Sequence, residues 1–268
     1  MERYPHRIVC LTEETTETLY LLGEERRVVG ISGFTVRPPR ARREKPRVSA
    51  FTSAKLDRIV SLKPDLVLGF SDLQADIARD LLREGLAVHV FNQRSVAGIF
   101  SMIRVLGGLI GCVSKAEALC EQLEANLARV RTQSEKFAMR PRIYFEEWDE
   151  PMISGIQWVS ELIAIAGGVD TFADQAQASL ARNRVIADPI EVVRRAPDII
   201  IGSWCGKKFR PETVARRTGW QHVPAVLTGE LHEIKSPVIL QPGPAALTDG
   251  LEALHAIIRR WVATRVMK

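Results

Sequence analysis

The chain has 268 residues, 46% of them hydrophobic and 26% charged, with a formal net charge of +5. That balance suits a globular protein of one large or two modest domains, and no run reaches the ~18 apolar residues of a membrane helix. Cys10, Cys112, Cys120 and Cys205 are scattered without C-x-x-C spacing. They read as free, mostly buried thiols and argue against a zinc site or a disulfide framework.

In chain order, Arg7–Leu11 is the first strand, and a polar turn at Thr12 starts a helix closed by Gly23. Val28–Ser32 is the second strand. A basic loop follows, with Arg37, Arg40, Arg42, Arg43, Lys45 and Arg47 among prolines. It reads as a solvated face or as contact with an anionic ligand, with nucleic acid last, because no nucleic-acid-binding motif accompanies it. Val48–Phe51, Leu66–Gly69 and Ala87–Phe91 are further strands, with helices over Lys55–Leu62, Leu73–Glu84 and Val96–Leu109.

A long helix is then expected over Val113–Met139. Ala116, Cys120, Leu123, Leu127, Val130, Ser134 and Phe137 fall on one face, Ser114 and Glu117 have capping-box spacing, and Arg140-Pro141 ends it. Beyond it, Arg142–Phe145 is a strand, Glu146–Pro151 a strand-end loop whose outer acids Asp149 and Glu150 are solvated, and Trp158–Ala166 a helix. Asp188–Arg195, Pro211–Arg217 and Ala246–Thr264 are helices, and Ile199–Gly202 is a strand.

Lys63-Pro64-Asp65 followed by Leu66–Gly69 matches Ala196-Pro197-Asp198 followed by Ile199–Gly202. Each is a helix stopped by proline, a turn supported by aspartate, a buried aliphatic strand and a glycine. Strands alternating with helices on both sides of the long helix predict an α/β protein. Two similar lobes with largely parallel sheets are joined by a single long linker helix: residues 1–112, 113–140 and 141–268.

The order of these motifs resembles the class III substrate-binding proteins of ABC importers, the cobalamin and ferric-siderophore binders. The residues are Arg7–Leu11, Leu21-Leu22-Gly23, Val28–Ile31, Lys63–Gly69, Ala166-Gly167-Gly168, Pro197–Gly202 and Gly219-Trp220. The resemblance implies two lobes, a rigid helix between them and one ligand in the intervening cleft, without catalysis. It also implies an acidic residue atop each lobe that meets the permease; by position the candidates are Asp76 and Glu212, which in the sequence as written are expected to do no docking.

Ligands of open α/β folds sit beyond the carboxyl ends of strands. That rule selects Glu14, Phe34, Phe51, Thr52, Phe70 and Ser71 in the first lobe, and Trp148, Ser203, Trp204 and Gln241 in the second. Five aromatics suit a flat macrocycle. The five histidines form no metal motif, and no intrinsic cofactor is expected.

The function expected is therefore non-enzymatic binding of a cobalamin-like corrinoid by a monomer. The alternatives are a ferric-siderophore or haem binder, favoured by the arginine-rich loop, and a cytoplasmic corrinoid- or metal-handling enzyme using Cys205 or His222. Neither nucleic acid nor membrane insertion is expected. Met1–Arg7 lacks a secretory signal, so the sequence as written is expected in the cytoplasm, without an ABC permease partner; a longer N-terminus would place it in the periplasm.

Overall fold

The computed structural model describes residues 4–266; the beginning of the Met1–Arg7 stretch lies outside them. The chain divides into two compact units. The first holds the described residues up to Gln93, Ala97–Leu123 and Gln241–Pro244; the second holds Arg94–Val96, Glu124–Leu240 and the residues from Ala245 on. The long helix expected as a separate segment, 113–140, is thus shared between the units and links them.

The first unit opens with strand β1 (Ile8–Cys10), helix α1 (Glu13–Leu21) and strand β2 (Val28–Ser32). Helix α2 (Ala41–Glu44), strand β3 (Arg47–Ser49), helix α3 (Leu56–Ser61) and strand β4 (Leu66–Phe70) follow. Helix α4 (Ala75–Arg83), strand β5 (Val88–Phe91) and helix α5 (Val96–Leu109) complete the series. The sheet runs β3-β2-β1-β4-β5 with every pairing parallel. β1 and β4 are buried along their whole length, as unbroken aliphatic runs must be when helices cover both faces. In α4, Ile77, Ala78 and Leu81 point inward, while Asp76, Arg79, Asp80 and Arg83 pair along the outside.

Helix α6 (Val113–Ser134) stops short of the expected Met139. Its predicted face is right: Ala116, Cys120, Leu123, Leu127, Val130 and Ser134 are buried. The capping box does not form, because Glu117 turns to the Arg104 guanidinium at 2.9 Å and Ser114 already lies inside the helix. Tertiary contact ends the helix before Pro141 can. Ser134 Oγ donates to the Ile165 carbonyl at 2.7 Å, and Phe137 stacks on His255.

In the second unit, β6 (Arg142–Asp149) is longer than the expected four-residue strand. It forms an antiparallel hairpin with β7 (Met152–Ser154), so Glu146–Asp149 belong to a ladder and not to a loop. Helix α7 (Gln157–Ile165), strand β8 (Val169–Asp170), helix α8 (Ala173–Ala176), helix α9 (Ile190–Arg195) and strand β9 (Ile199–Gly202) follow. Then come α10 (Pro211–Ala215), α11 (Pro224–Thr228), β10 (Leu231–Glu233), α12 (Ser236–Ile239) and, after a π turn, α13 (Leu251–Val266). The sheet order is β10-β9-β6-β7, with β8 beside the start of β6. Apart from β7 the pairings are parallel. Leu251, Leu254, Ile258 and Trp261 face inward from α13, as their spacing predicts.

Candidate ligand-binding residues

Each unit gathers its candidate residues at the carboxyl ends of its parallel strands. In the first unit one side chain ties those ends together. Gln74 Nε2 donates to the carbonyls of Phe51 at 2.9 Å and Leu11 at 3.4 Å, and its Oε1 accepts from the Phe70 amide at 3.0 Å. The loops after β1, β3 and β4 therefore share one buried carboxamide. A Cβ on Gly69 would stand 2.9 Å from Gln74 Oε1, so this glycine clears the space that Gln74 fills. No sequence signal marks Gln74; only its place four residues after Phe70 hints at a cap.

Phe34 projects into solvent, 55% exposed. Phe51 is half-buried and Thr52 exposed. Phe70 is buried in the sheet, which corrects its expected place among the accessible aromatics. Ser71 is buried at φ 66°, a left-handed backbone that Ser rarely adopts, and its Oγ accepts from the Leu73 amide at 3.3 Å. It borders a surface groove of about 710 Å³ along α4 and β5.

Glu14 begins α1 fully buried, with Thr12 Oγ1 donating to it at 2.6 Å. Burial pushes its carboxyl up to about 7. Burial, then the neighbouring Glu14 and Glu17, push Glu13 up to about 8 despite Arg42 and Arg37. Gln241 is half-buried and belongs to the first unit, not to the second as expected. The arginines of the basic loop divide. Arg37 pairs with Glu17 at 2.8 Å and Arg40 with Glu25 at 3.1 Å, whereas Arg42 and Arg43 lie exposed on α2.

In the second unit Trp148 is half-buried on β6, its Nε1 donating to the Glu150 carbonyl at 2.9 Å. Lys207 Nζ lies 5.6 Å from the Trp148 ring centre and 5.2 Å from that of Trp204. It also pairs with Asp149 at 2.5 Å, so Asp149 is held in an ion pair instead of standing free in solvent; Glu150 is exposed.

Trp204 is not an accessible wall. It is 3% exposed, packs with Tyr144, Phe209 and Trp220, and donates from Nε1 to Glu146 at 3.0 Å. Glu146 is fully buried, and Tyr144 and Arg217 also donate to it; a buried carboxylate needs that many donors. Ser203 is buried beside it, its amide donating to the Glu146 carbonyl at 2.9 Å. Arg184, 1% exposed, pairs with Glu147 at 2.6 Å and also donates to the Ser154 carbonyl, fastening the hairpin. Glu146, Glu147 and Asp149 thus serve the fold. No group of histidine, cysteine, aspartate and glutamate that could hold a metal occurs among the described residues.

Two α/β units with largely parallel sheets, linked by a long helix, define the class of bilobed solute-binding proteins. The model of the periplasmic binding protein family matches residues 8–238, and the chain belongs to that family. It is 23% identical to an uncharacterized ABC transporter substrate-binding lipoprotein, YvrC, of Bacillus subtilis, over 95% of this chain and 80% of that protein. It is 25% identical to a cobalamin-binding protein of Halobacterium salinarum, over 91% of this chain and 67% of that protein. The fold matches that of IsdE of S. aureus, solved with heme, with a TM-score of 0.79 and 19% identity over 94% of this chain and 98% of that one.

The family is one of solute-binding proteins and not of enzymes. It also overturns the expected cytoplasmic location, since its members and structural relatives are periplasmic or otherwise extracytoplasmic. That expectation rested on the first residues of the sequence, which carry no weight against the family.

Proposed function

We propose that the chain is the solute-binding component of an ABC importer and that its solute is a metal-chelate macrocycle, of the class that includes cobalamin and haem. The observation that carries this reading is aromatic surface left accessible at strand carboxyl ends in each unit: Phe34 and Phe51 in the first, Trp148 in the second. Broad, flat solutes need such rigid apolar walls. Arg42 and Arg43, exposed on the helix that follows Phe34, suit the carboxylates of haem. The relatives by sequence favour a corrinoid and those by fold include haem binders, so the two solutes stand together and cobalamin has no priority.

The test is incubation with haemin, a cyano-corrinoid and a ferric siderophore in separate samples, followed by gel filtration. One macrocycle should co-elute with the protein and show a shifted visible spectrum. Retention of the siderophore alone, or of none, would sink this reading.

A further inference from the structure

Two loops of the second unit meet around one ammonium group. At the β6–β7 turn the half-buried Trp148 is tied back through Nε1 to the Glu150 carbonyl at 2.9 Å, so the orientation of its ring is set. After β9, Gly206 takes a left-handed backbone at φ 72°, and the Lys207 amide donates to the Trp204 carbonyl at 3.4 Å. The turn so formed carries Lys207 back over the tryptophans. Its Nζ lies 5.2 Å from the Trp204 ring centre and 5.6 Å from that of Trp148. Trp204 is fixed in turn, because its own Nε1 is bonded to the buried Glu146.

Asp149 is the third holder of this ammonium, at 2.5 Å, and the ion pair is lopsided. The Asp149 side chain is 11% exposed and that of Lys207 48%. The carboxylate therefore lies inside and the ammonium outside. Asp149 takes one of the three ammonium N–H donors, which leaves two for a further acceptor. Lys208 and Arg210, exposed on the same loop, add to the positive field there, and Glu150, exposed on the neighbouring turn, opposes it. A cation held against aromatic rings keeps its charge but loses freedom, so an incoming anion meets a partner already in place.

We propose that Lys207 is a specificity-determining residue: with the ring system of the solute laid on Trp148, its ammonium donates to a carboxylate at the edge of the solute. This rests on the solute-binding reading above. It narrows that reading to macrocycles with peripheral carboxylates, over corrinoids whose side arms end in neutral amides. Asp149 positions the ammonium and offsets part of its charge.

The experiment uses the full chain and three probes: haemin, haemin dimethyl ester, in which both carboxylates are capped, and a cyano-corrinoid. Dissociation constants are read from visible absorbance for wild type, K207M and D149N. A hydrogen bond to a charged group corresponds to about tenfold or more in affinity. Wild type should prefer haemin to its ester, and K207M should bind haemin about tenfold more weakly while binding the ester as wild type does. D149N keeps an oxygen acceptor for Lys207 but removes the opposing charge, so its affinity for haemin should rise. K207M leaves the mostly buried Asp149 without its cation, so the K207M/D149N double variant is measured beside it and should show the same loss for haemin.

Equal haemin affinity in wild type and both K207M variants, an equal loss for the ester, or a D149N variant weakened as K207M is, overturns the assignment of Lys207 alone; the ion pair then only braces Trp148. A wild type that takes the corrinoid and not haemin does the same and leaves the metal-chelate reading standing. A wild type that binds none of the three probes overturns that reading, and the assignment of Lys207 with it.

Discussion

Arg7 and Asp65 hold each other across the junction of β1 and β4. The Asp65 carboxylate accepts from the amides of His6 at 2.7 Å and Arg7 at 2.9 Å. The Arg7 guanidinium reaches back to the Leu62 carbonyl at 2.6 Å and the Lys63 carbonyl at 3.1 Å, closing the end of α3. The second unit repeats the device. Asp198 accepts from the Arg142 amide at 2.8 Å, and Arg142 donates to the Arg195 carbonyl at 2.7 Å. Lys63 and Ala196, each just before the proline, share a left-handed backbone at φ 47° and 42°. The aspartate of the repeat therefore fastens the first strand of its unit as well as supporting its own turn.

Removing that carboxylate leaves strand amides without their charged acceptor. Asp65→Ala or Asp198→Ala should lower unfolding free energy by about 1–3 kcal/mol, the range for hydrogen bonds to charged groups. Urea titration of Asp65→Ala, Arg7→Ala and the double variant should give a total smaller than the sum of the singles. Strict additivity would mean the two residues act separately.

Gln74 makes a sharper case, because its amide is buried and serves three loops. Gln74→Leu should cost about 1–3 kcal/mol by stranding the Phe51 and Leu11 carbonyls and the Phe70 amide. It should also loosen Phe51, so solute affinity should fall with stability. A variant as stable as wild type would show that water replaces the carboxamide at no cost.

The two tryptophans of the second unit should separate by effect. Trp148→Ala should leave the fold intact and weaken solute binding by more than about 1 kcal/mol, as loss of an aromatic anchor does. Trp204→Ala should cost about 3–5 kcal/mol of stability, because it empties a core site and strips a donor from Glu146. Calorimetry with binding titrations distinguishes them; equal melting temperatures for both variants would contradict the burial of Trp204.

The carboxyl pair on α1 sets a direction for pH dependence without any ligand. Folding raises Glu13 from 4.5 to about 8 and Glu14 from 4.5 to about 7. The folded state thus holds protons that the unfolded chain has released. Their contribution is fully present below the unfolded value and is lost as pH rises through the folded values. Urea midpoints should fall between about pH 5 and about pH 8 and then level off, with a shallower decline in the Glu13→Gln, Glu14→Gln double variant. An identical decline in that variant would place the titrating groups elsewhere.

The importer role proposed above predicts that exposed acids at the start of two helices meet the permease. Asp76 is exposed and lies within 2.6 Å of Arg79; Glu212 is exposed in the first turn of α10. Asp76→Arg and Glu212→Arg should each lower uptake of the solute in whole cells while leaving its binding by the purified protein intact. Normal uptake in the double variant would remove both residues from the docking face.

The sequence by itself determined the α/β class, the duplicated strand motif and the buried face of the long helix, and the order of its motifs carried the resemblance to the family. Those features are written in local periods and in apolar runs that can be buried only one way, so Leu66–Phe70 and Ile199–Gly202 could be read directly. Only the tertiary structure decided which strand-end residues remain accessible. Trp148 and Trp204 look alike in sequence, yet a hairpin bonded along β6 keeps the first half-exposed, while a buried carboxylate 58 residues away draws the second into the core. Gly69 and Gly202 likewise read as strand ends. Their reason is a distant partner in each case: Gln74 fills the space beside one, and the Phe209 ring, within 1.9 Å of where a Cβ would stand, fills it beside the other. Burial and long-range hydrogen bonds depend on what the folded chain brings together, and no local spacing encodes them.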